Sequence, residues 1–408
     1  MNARFLSICA VVALANIAAP STVAAADKIS VGVEDACAIV GSQLFCWGYN
    51  QFGQVGASTD GIVSRPRIVQ PVEPGAQWTD VAEGGWHTCA LSQASGHQSL
   101  FCWGLNNGGQ LGDGTTVDSP SPSLVLDAHT KHPLANVTAI SVGGVGTCAV
   151  ADDKIACWGY NGDGELGDNS TSDSAVPVVL ENPGDIGQIA GGNLSNCAIS
   201  NASALYCWGW NYFGQVGDGT TTTAVLPQQI LRHAYRVSSS GRSTCALADW
   251  GPDRDRLLKC WGDNRNGELG DGTGMISSVP VTVLDPSGFG PLTGVIDLSL
   301  GYAHSCALTS DAHVYCWGSN YFGMLGDGTG VDSLKPVAVS NPQGDGPLTN
   351  VVGISAGENE TCAIQSNSTI LCWGRNERTL GDGTSIDRNL PVVIDLDEIF
   401  SSEFEMQS

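Results

Sequence analysis

Tyr315-Cys316-Trp317-Gly318-Ser319-Asn320-Tyr321-Phe322-Gly323-Met324-Leu325-Gly326-Asp327-Gly328-Thr329 decides the fold, because it is one of seven variants of the same unit. Cys-Trp-Gly begins at Cys46, Cys102, Cys157, Cys207, Cys260, Cys316 and Cys372, at intervals of 56, 55, 50, 53, 56 and 56 residues. An Asn follows each Gly by two positions, from Asn50 to Asn376, and then a Gly-rich turn that is most regular at Gly109–Thr115 and Gly267–Thr273. A second cysteine precedes each unit: Cys37, Cys89, Cys148, Cys197, Cys245, Cys306 and Cys362. Self-similarity at this period signals a repeat architecture. The sixth unit reads as four short strands, Val295–Leu300, Cys306–Thr309, Val314–Trp317 and Lys335–Val339, with no helical apolar period. Four antiparallel strands in about 50 residues are the size of a propeller blade. The expected fold is all-β, a seven-bladed β-propeller. Its first strand is read at Ile29–Val33 and its last at Leu390–Leu396, with ring closure by an exchanged terminal strand left open.

Residues 1–26 read as a cleaved signal peptide: Arg4, an apolar run from Phe5 to Ala19, and small residues at Val23–Ala26. The propeller is then 27–396 and a short tail 397–408. Of 15 cysteines, one lies in the leader, so 14 remain. An even number in an exported chain points to disulfides. Cys306 and Cys316 flank a hairpin centred near Asp311, opposite each other on neighbouring strands. By repetition the pairs are Cys37–Cys46, Cys89–Cys102, Cys148–Cys157, Cys197–Cys207, Cys245–Cys260, Cys306–Cys316 and Cys362–Cys372. The net charge of −24 repels phosphate backbones and anionic lipid, which argues against nucleic acid and membrane insertion as partners.

The Cys-Ala-Leu motif at 306–308 together with Tyr315–Thr329 resembles the regulator of chromosome condensation repeat, over about residues 28–396. The resemblance implies the same seven-bladed propeller, and the cysteine pairs look like a variant of exported bacterial proteins. The namesake of that family is an exchange factor for the Ran GTPase that binds chromatin. Other relatives are interaction modules, including a secreted inhibitor of β-lactamases. Export and acidity fit neither Ran nor chromatin. The seventh unit departs from the pattern, being one residue shorter from Cys372 to Gly381. The first carries Gly56-Ala57-Ser58-Thr59 in place of Gly-Asp-Gly-Thr. Irregular loops are expected in both.

Function is expected where the repeats differ, since recurring Trp, Asn and Gly have structural explanations. Two residues before each upstream cysteine stand Asp35, His87, Gly146, Ser195, Ser243, His304 and Glu360. Ring closure makes His304, Glu360, Asp35 and His87 a contiguous arc. It reads either as turn residues bonding local backbone or as a polar, metal-binding cluster at the central opening. The same face should present aromatic residues, and Trp86, Trp210 and Tyr302 stand out because they do not recur. No catalytic constellation, metal motif or cofactor motif is legible. The reading is a non-enzymatic binding scaffold, secreted, periplasmic or on the cell surface, monomeric, recognising a protein or glycan through one face. The alternative is an exchange-factor-like or enzyme-inhibiting regulator.

Overall fold

A computed structural model describes residues 27–56, 61–94, 96–250 and 255–396. The leader at 1–26, the tail at 397–408 and Ala57–Thr59 of the first turn lie outside the described residues. The described chain forms 28 strands in seven four-stranded antiparallel sheets, each made of strands consecutive in sequence. In the sixth blade they are Val295–Leu300, His304–Thr309, Val314–Gly318 and Ser333–Ala338. The second strand therefore starts two residues before its cysteine. The first strand of each blade lies innermost, and Val351–Ala356 of blade seven packs beside Lys28–Val31 of blade one. Among the described residues, closure is by packing, without strand exchange. Among the described residues no helix is long and apolar enough to cross a membrane.

All seven expected cystines are present, each joining directly opposed residues of the second and third strands. Their sequence separations run from 9 in blade one to 15 in blade five. Cross-links closing loops this short each contribute about 2–3 kcal/mol in the chain-entropy model.

Blade is joined to blade mainly through a single carbonyl. The indole N–H of each Cys-Trp-Gly tryptophan reaches back to the turn of the preceding blade. Trp103 donates to Gln54 O (2.7 Å), Trp158 to Gln110 O (2.9 Å) and Trp317 to Glu268 O (2.7 Å). Trp208, Trp261 and Trp373 do the same to Glu165, Gln215 and Met324. The same carbonyls accept a second bond from the residue before each upstream cysteine, as from Thr88 (2.7 Å), Thr147 (2.9 Å) and Ser305 (2.9 Å). Toward the axis, serine hydroxyls of inner strands accept from the next blade's backbone N–H: Ser30 from Glu83, Ser141 from Gly191, Ser299 from Ala356, and Ser355 from Val31. Around the axis the chains pass so closely that only glycine fits. A Cβ on Gly84 would lie 2.3 Å from Gly143 O, one on Gly143 2.2 Å from Gly192 O, and one on Gly357 2.3 Å from Gly32 O.

The junction of blade seven with blade one lacks both outer bonds. The short seventh turn gives Trp47 Nε1 no acceptor although the ring is fully buried, and Ala36 stands where other blades carry a hydroxyl or amide. The junction keeps the Ser355 bond to Val31 N, the bond from Glu358 N to Gly32 O, and an Arg375–Glu34 ion pair at 2.5 Å. Replacing Trp103 by Phe removes a made hydrogen bond, whereas Trp47→Phe removes none. The first substitution should cost about 1–3 kcal/mol more than the second, measured by denaturant unfolding of the oxidised protein. Equal costs would contradict the bonding scheme.

Candidate functional site

The arc read from the sequence is not on the surface. Asp35, His87, His304 and Glu360 each open a second strand, not a loop, so their side chains turn into the wall between blades. All four are buried, His87 and His304 completely. No three of them bring ligand atoms within 4.8 Å of one another. The one His/Cys/Asp/Glu group that does so among the described residues is Cys37, Cys46 and Glu83, and its two sulfurs are joined in a disulfide.

The histidines serve the inter-blade bonds. Thr147 has one hydroxyl proton and gives it to Gln110 O, so His87 Nε2, 2.8 Å away, must be the donor to Thr147 Oγ1. Thr361 likewise donates to Met324 O and accepts from His304 Nε2 at 2.7 Å. Both rings are thus neutral Nε2–H tautomers, and burial lowers their pKa values to about 3 and about 4. Glu83 plays the same part in blade two. Thr88 Oγ1 lies 2.7 Å from both Gln54 O and Glu83 Oε2. Thr88 has one proton for these two oxygens: it donates to Glu83 when the carboxyl is ionised, and it accepts from Glu83 and donates to Gln54 O when the carboxyl is protonated. Burial raises the pKa of Glu83 to about 8. Asp35 is raised by burial and by the neighbouring Glu83 and Glu360, and Glu360 by burial and Glu34.

Trp86 and Tyr302 lie in loops that precede a second strand and Trp210 in a loop that follows a third. Trp86 is 38% exposed and packs against Phe52, on blades two and one. Trp210 and Tyr302 are half-buried on blades four and six and belong to one cluster. Trp210 stacks on Tyr212 with an interplanar angle of 9° and meets Phe213 edge-on, centroids 5.5 Å apart. Tyr212 is 69% exposed. Between Phe213 and Tyr302 rises Arg242 of blade five, its guanidinium 5.4 Å and 4.5 Å from the two ring centroids. Arg265 covers Phe213 at 4.7 Å and forks onto the buried Asp263, with bonds of 2.8 Å from Nε and 2.5 Å from Nη2. Sequence reasoning had the aromatics and missed the arginines. The available signal was charge: residues 232–265 hold seven of the chain's 17 Lys and Arg against four Asp, a net +3 within a −24 protein.

The cluster borders the central opening, a cavity of about 100 Å³ lined by the axial glycines with Asn193, Ser240, Tyr302 and Glu358. Its lining is mostly backbone, and no nucleophile–base pair converges on it.

A family model described as the RCC1-like domain matches residues 43–405. The chain belongs to the RCC1-like domain family. Among curated RCC1-like proteins, the ultraviolet-B receptor UVR8 of Arabidopsis thaliana is 29% identical over 380 residues, 90% of this chain and 81% of UVR8. The human E3 ubiquitin-protein ligase HERC2 is 26% identical over 353 residues, 84% of this chain but 7% of that protein. Among solved structures, Prp20p of Saccharomyces cerevisiae superposes with a TM-score of 0.72 at 20% identity, covering 86% of this chain and 85% of Prp20p. That likeness is one of fold. The Prp20p structure was described together with its binding to Gsp1p and histones.

The raised pKa of Glu83 has a sign that can be tested. A carboxyl whose folded pKa lies above its unfolded value stabilises below the unfolded value and loses that contribution as pH rises through the folded one. For Glu83 the window is 4.5 to about 8. Glu83→Gln should therefore melt higher than the parent protein at about pH 9, and show no such advantage at about pH 4. Parallel melting curves at both pH values would refute a protonated Glu83.

Proposed function

We propose that this RCC1-like propeller is a non-enzymatic, extracytoplasmic scaffold that binds a protein partner through the face carrying Trp210, Tyr212, Phe213, Arg242, Arg265 and Tyr302. The reading is supported most by one observation: exposed Tyr212 and half-buried Trp210 form a stacked pair beside aromatic-capped guanidiniums. Trp, Tyr and Arg are the residues that carry binding energy at protein interfaces. The binding of Gsp1p and histones by Prp20p supports a protein partner over a small molecule, since it shows the fold used in that way. Seven cystines suit an oxidising compartment, where partners would be exported or surface proteins.

The aromatic rings are loop-borne and contribute little to the core, so they can be removed without unfolding the ring. Trp210→Ala with Tyr212→Ala should leave the thermal midpoint within a few degrees of the parent. Affinity for partners captured from envelope or secretome extracts should fall at least tenfold, read by surface plasmon resonance. Unchanged affinity would place the interface elsewhere on the ring.

A further inference from the structure

Among the described residues three arginines lie over a phenylalanine of the neighbouring turn, and two of them, Arg375 and Arg242, are not equivalent. Arg375 lies 5.3 Å over Phe322, and its guanidinium has two carboxylate partners: Nη1 donates to Glu34 and Nη2 to Glu377, each at 2.5 Å. Arg242 lies over Phe213 and Tyr302, but none of its guanidinium N–H groups has a hydrogen-bond acceptor among the described residues. Its nearest carboxylate oxygen, on Asp263, is 3.8 Å from Nη1. Asp263 is already engaged in the two-point fork of Arg265. The two rings fix the plane of the Arg242 guanidinium and leave its edge unsatisfied, at the rim of the opening and with one third of the side chain exposed. A guanidinium held in this way is shaped for a bidentate bond to a carboxylate. Arg265 is a second guanidinium on the same aromatic cluster, so Arg242 and Arg265 against Asp263 leave a local balance of +1.

We propose that the partner of this face is a protein that presents an acidic segment, and that Arg242 is the residue that receives one of its carboxylates. The inference rests on the binding reading above and assigns its chemistry. Trp210 and Tyr212 supply apolar contact beside the carboxylate, and Arg265, tied to Asp263, keeps the local charge positive without competing for the bond.

The test uses the full oxidised chain and a displayed library of random twelve-residue peptides. Peptides are selected on the parent protein and then measured individually on Arg242→Gln, on the Trp210→Ala/Tyr212→Ala double variant and on Lys154→Gln, a surface control on blade three. The expected peptides are rich in Asp and Glu and bind Arg242→Gln at least tenfold more weakly. They bind Lys154→Gln as they bind the parent, and they weaken several-fold when NaCl is raised from about 50 to about 300 mM. Peptides that need Trp210 and Tyr212 but are neutral or basic, or that bind Arg242→Gln undiminished, overturn the acidic-partner inference and leave the binding face standing. Peptides indifferent to the aromatic pair, or no selected peptides at all, overturn the binding face as well. Heparin that binds the parent tightly and displaces every peptide would assign the sector to an anionic polysaccharide and overturn the protein assignment.

Discussion

In six of the seven blades one backbone carbonyl ties the blade to the next. The oxygens of Gln54, Gln110, Glu165, Gln215, Glu268 and Met324 each accept an indole N–H and a hydroxyl or amide from the blade that follows. Both lone pairs are used in the buried space between two sheets, where an unmade bond would cost more than a made one contributes. The carbonyl is aimed by its turn. Asn Oδ1 accepts from the N–H one residue further on, as Asn106 does from Leu111 at 2.9 Å, and Asn Nδ2 binds the loop beyond. The Trp, the Asn and the turn glycines are thus one device. They recur together because each is useless without the others.

The same device explains the buried ionisable residues. A threonine that gives its only proton to the carbonyl has an acceptor position left, and the wall must supply a donor. His87, His304 and Glu83 supply it, all in neutral form. Their chemistry is that of hydrogen bonding, and it demands that they not ionise. A histidine next to a carboxylate in the sequence resembles a functional cluster because the two types that can donate when neutral also ligate metals and move protons. At the closing junction the relay is absent, and blade one holds an alanine at the hydroxyl position. Glu360 therefore faces a wall with no hydroxyl to serve, while Asp35 sits on the next wall beside Glu83; burial raises the pKa of both carboxyls.

The fold was legible in the sequence because it is written seven times: blade number, strand order and all seven cystines follow from the spacing. The axial glycines were not legible as a set. Gly32, Gly84, Gly143, Gly192, Gly301 and Gly357 belong to differing local sequences, and what unites them is contact with the next blade's carbonyl, a non-local property. The arc was misplaced for a two-residue reason. Ending the first loop just before the cysteine made His87 and His304 loop residues, whereas the second strand already includes them, and in this wall that is the difference between solvent and core. The aromatic cluster was half legible, since unrepeated Trp and Tyr can be picked out by eye. Their arginine partner sits on another blade, and only the closed ring brings it between them.

This division between repeated and unrepeated positions has a physical basis. In the turns the asparagine amide bonds the repeated Asp and Thr side chains and, one step beyond them, backbone alone: Asn106 Nδ2 donates to Val117 O, Asn211 to Thr222 O, Asn264 to Met275 O and Asn320 to Val331 O. Any side chain at those positions leaves the bond intact, and the ones present, from threonine to methionine, stand exposed. Loops fixed through their backbone can change every outward side chain at little cost to the ring. Sequence drift on such a face would scatter charges of both signs over a protein this acidic. Arg242 and Arg265, both held on aromatic rings, share a single carboxylate, Asp263, and the fork of Arg265 takes its hydrogen bonds. The contrast with Arg375 shows that the fold can satisfy such an arginine internally, with Glu34 and Glu377 close at hand. At Arg242 the internal carboxylate is Asp263 at 3.8 Å, beyond hydrogen-bond reach and held by Arg265, so the N–H edge of the guanidinium stays open to an acceptor.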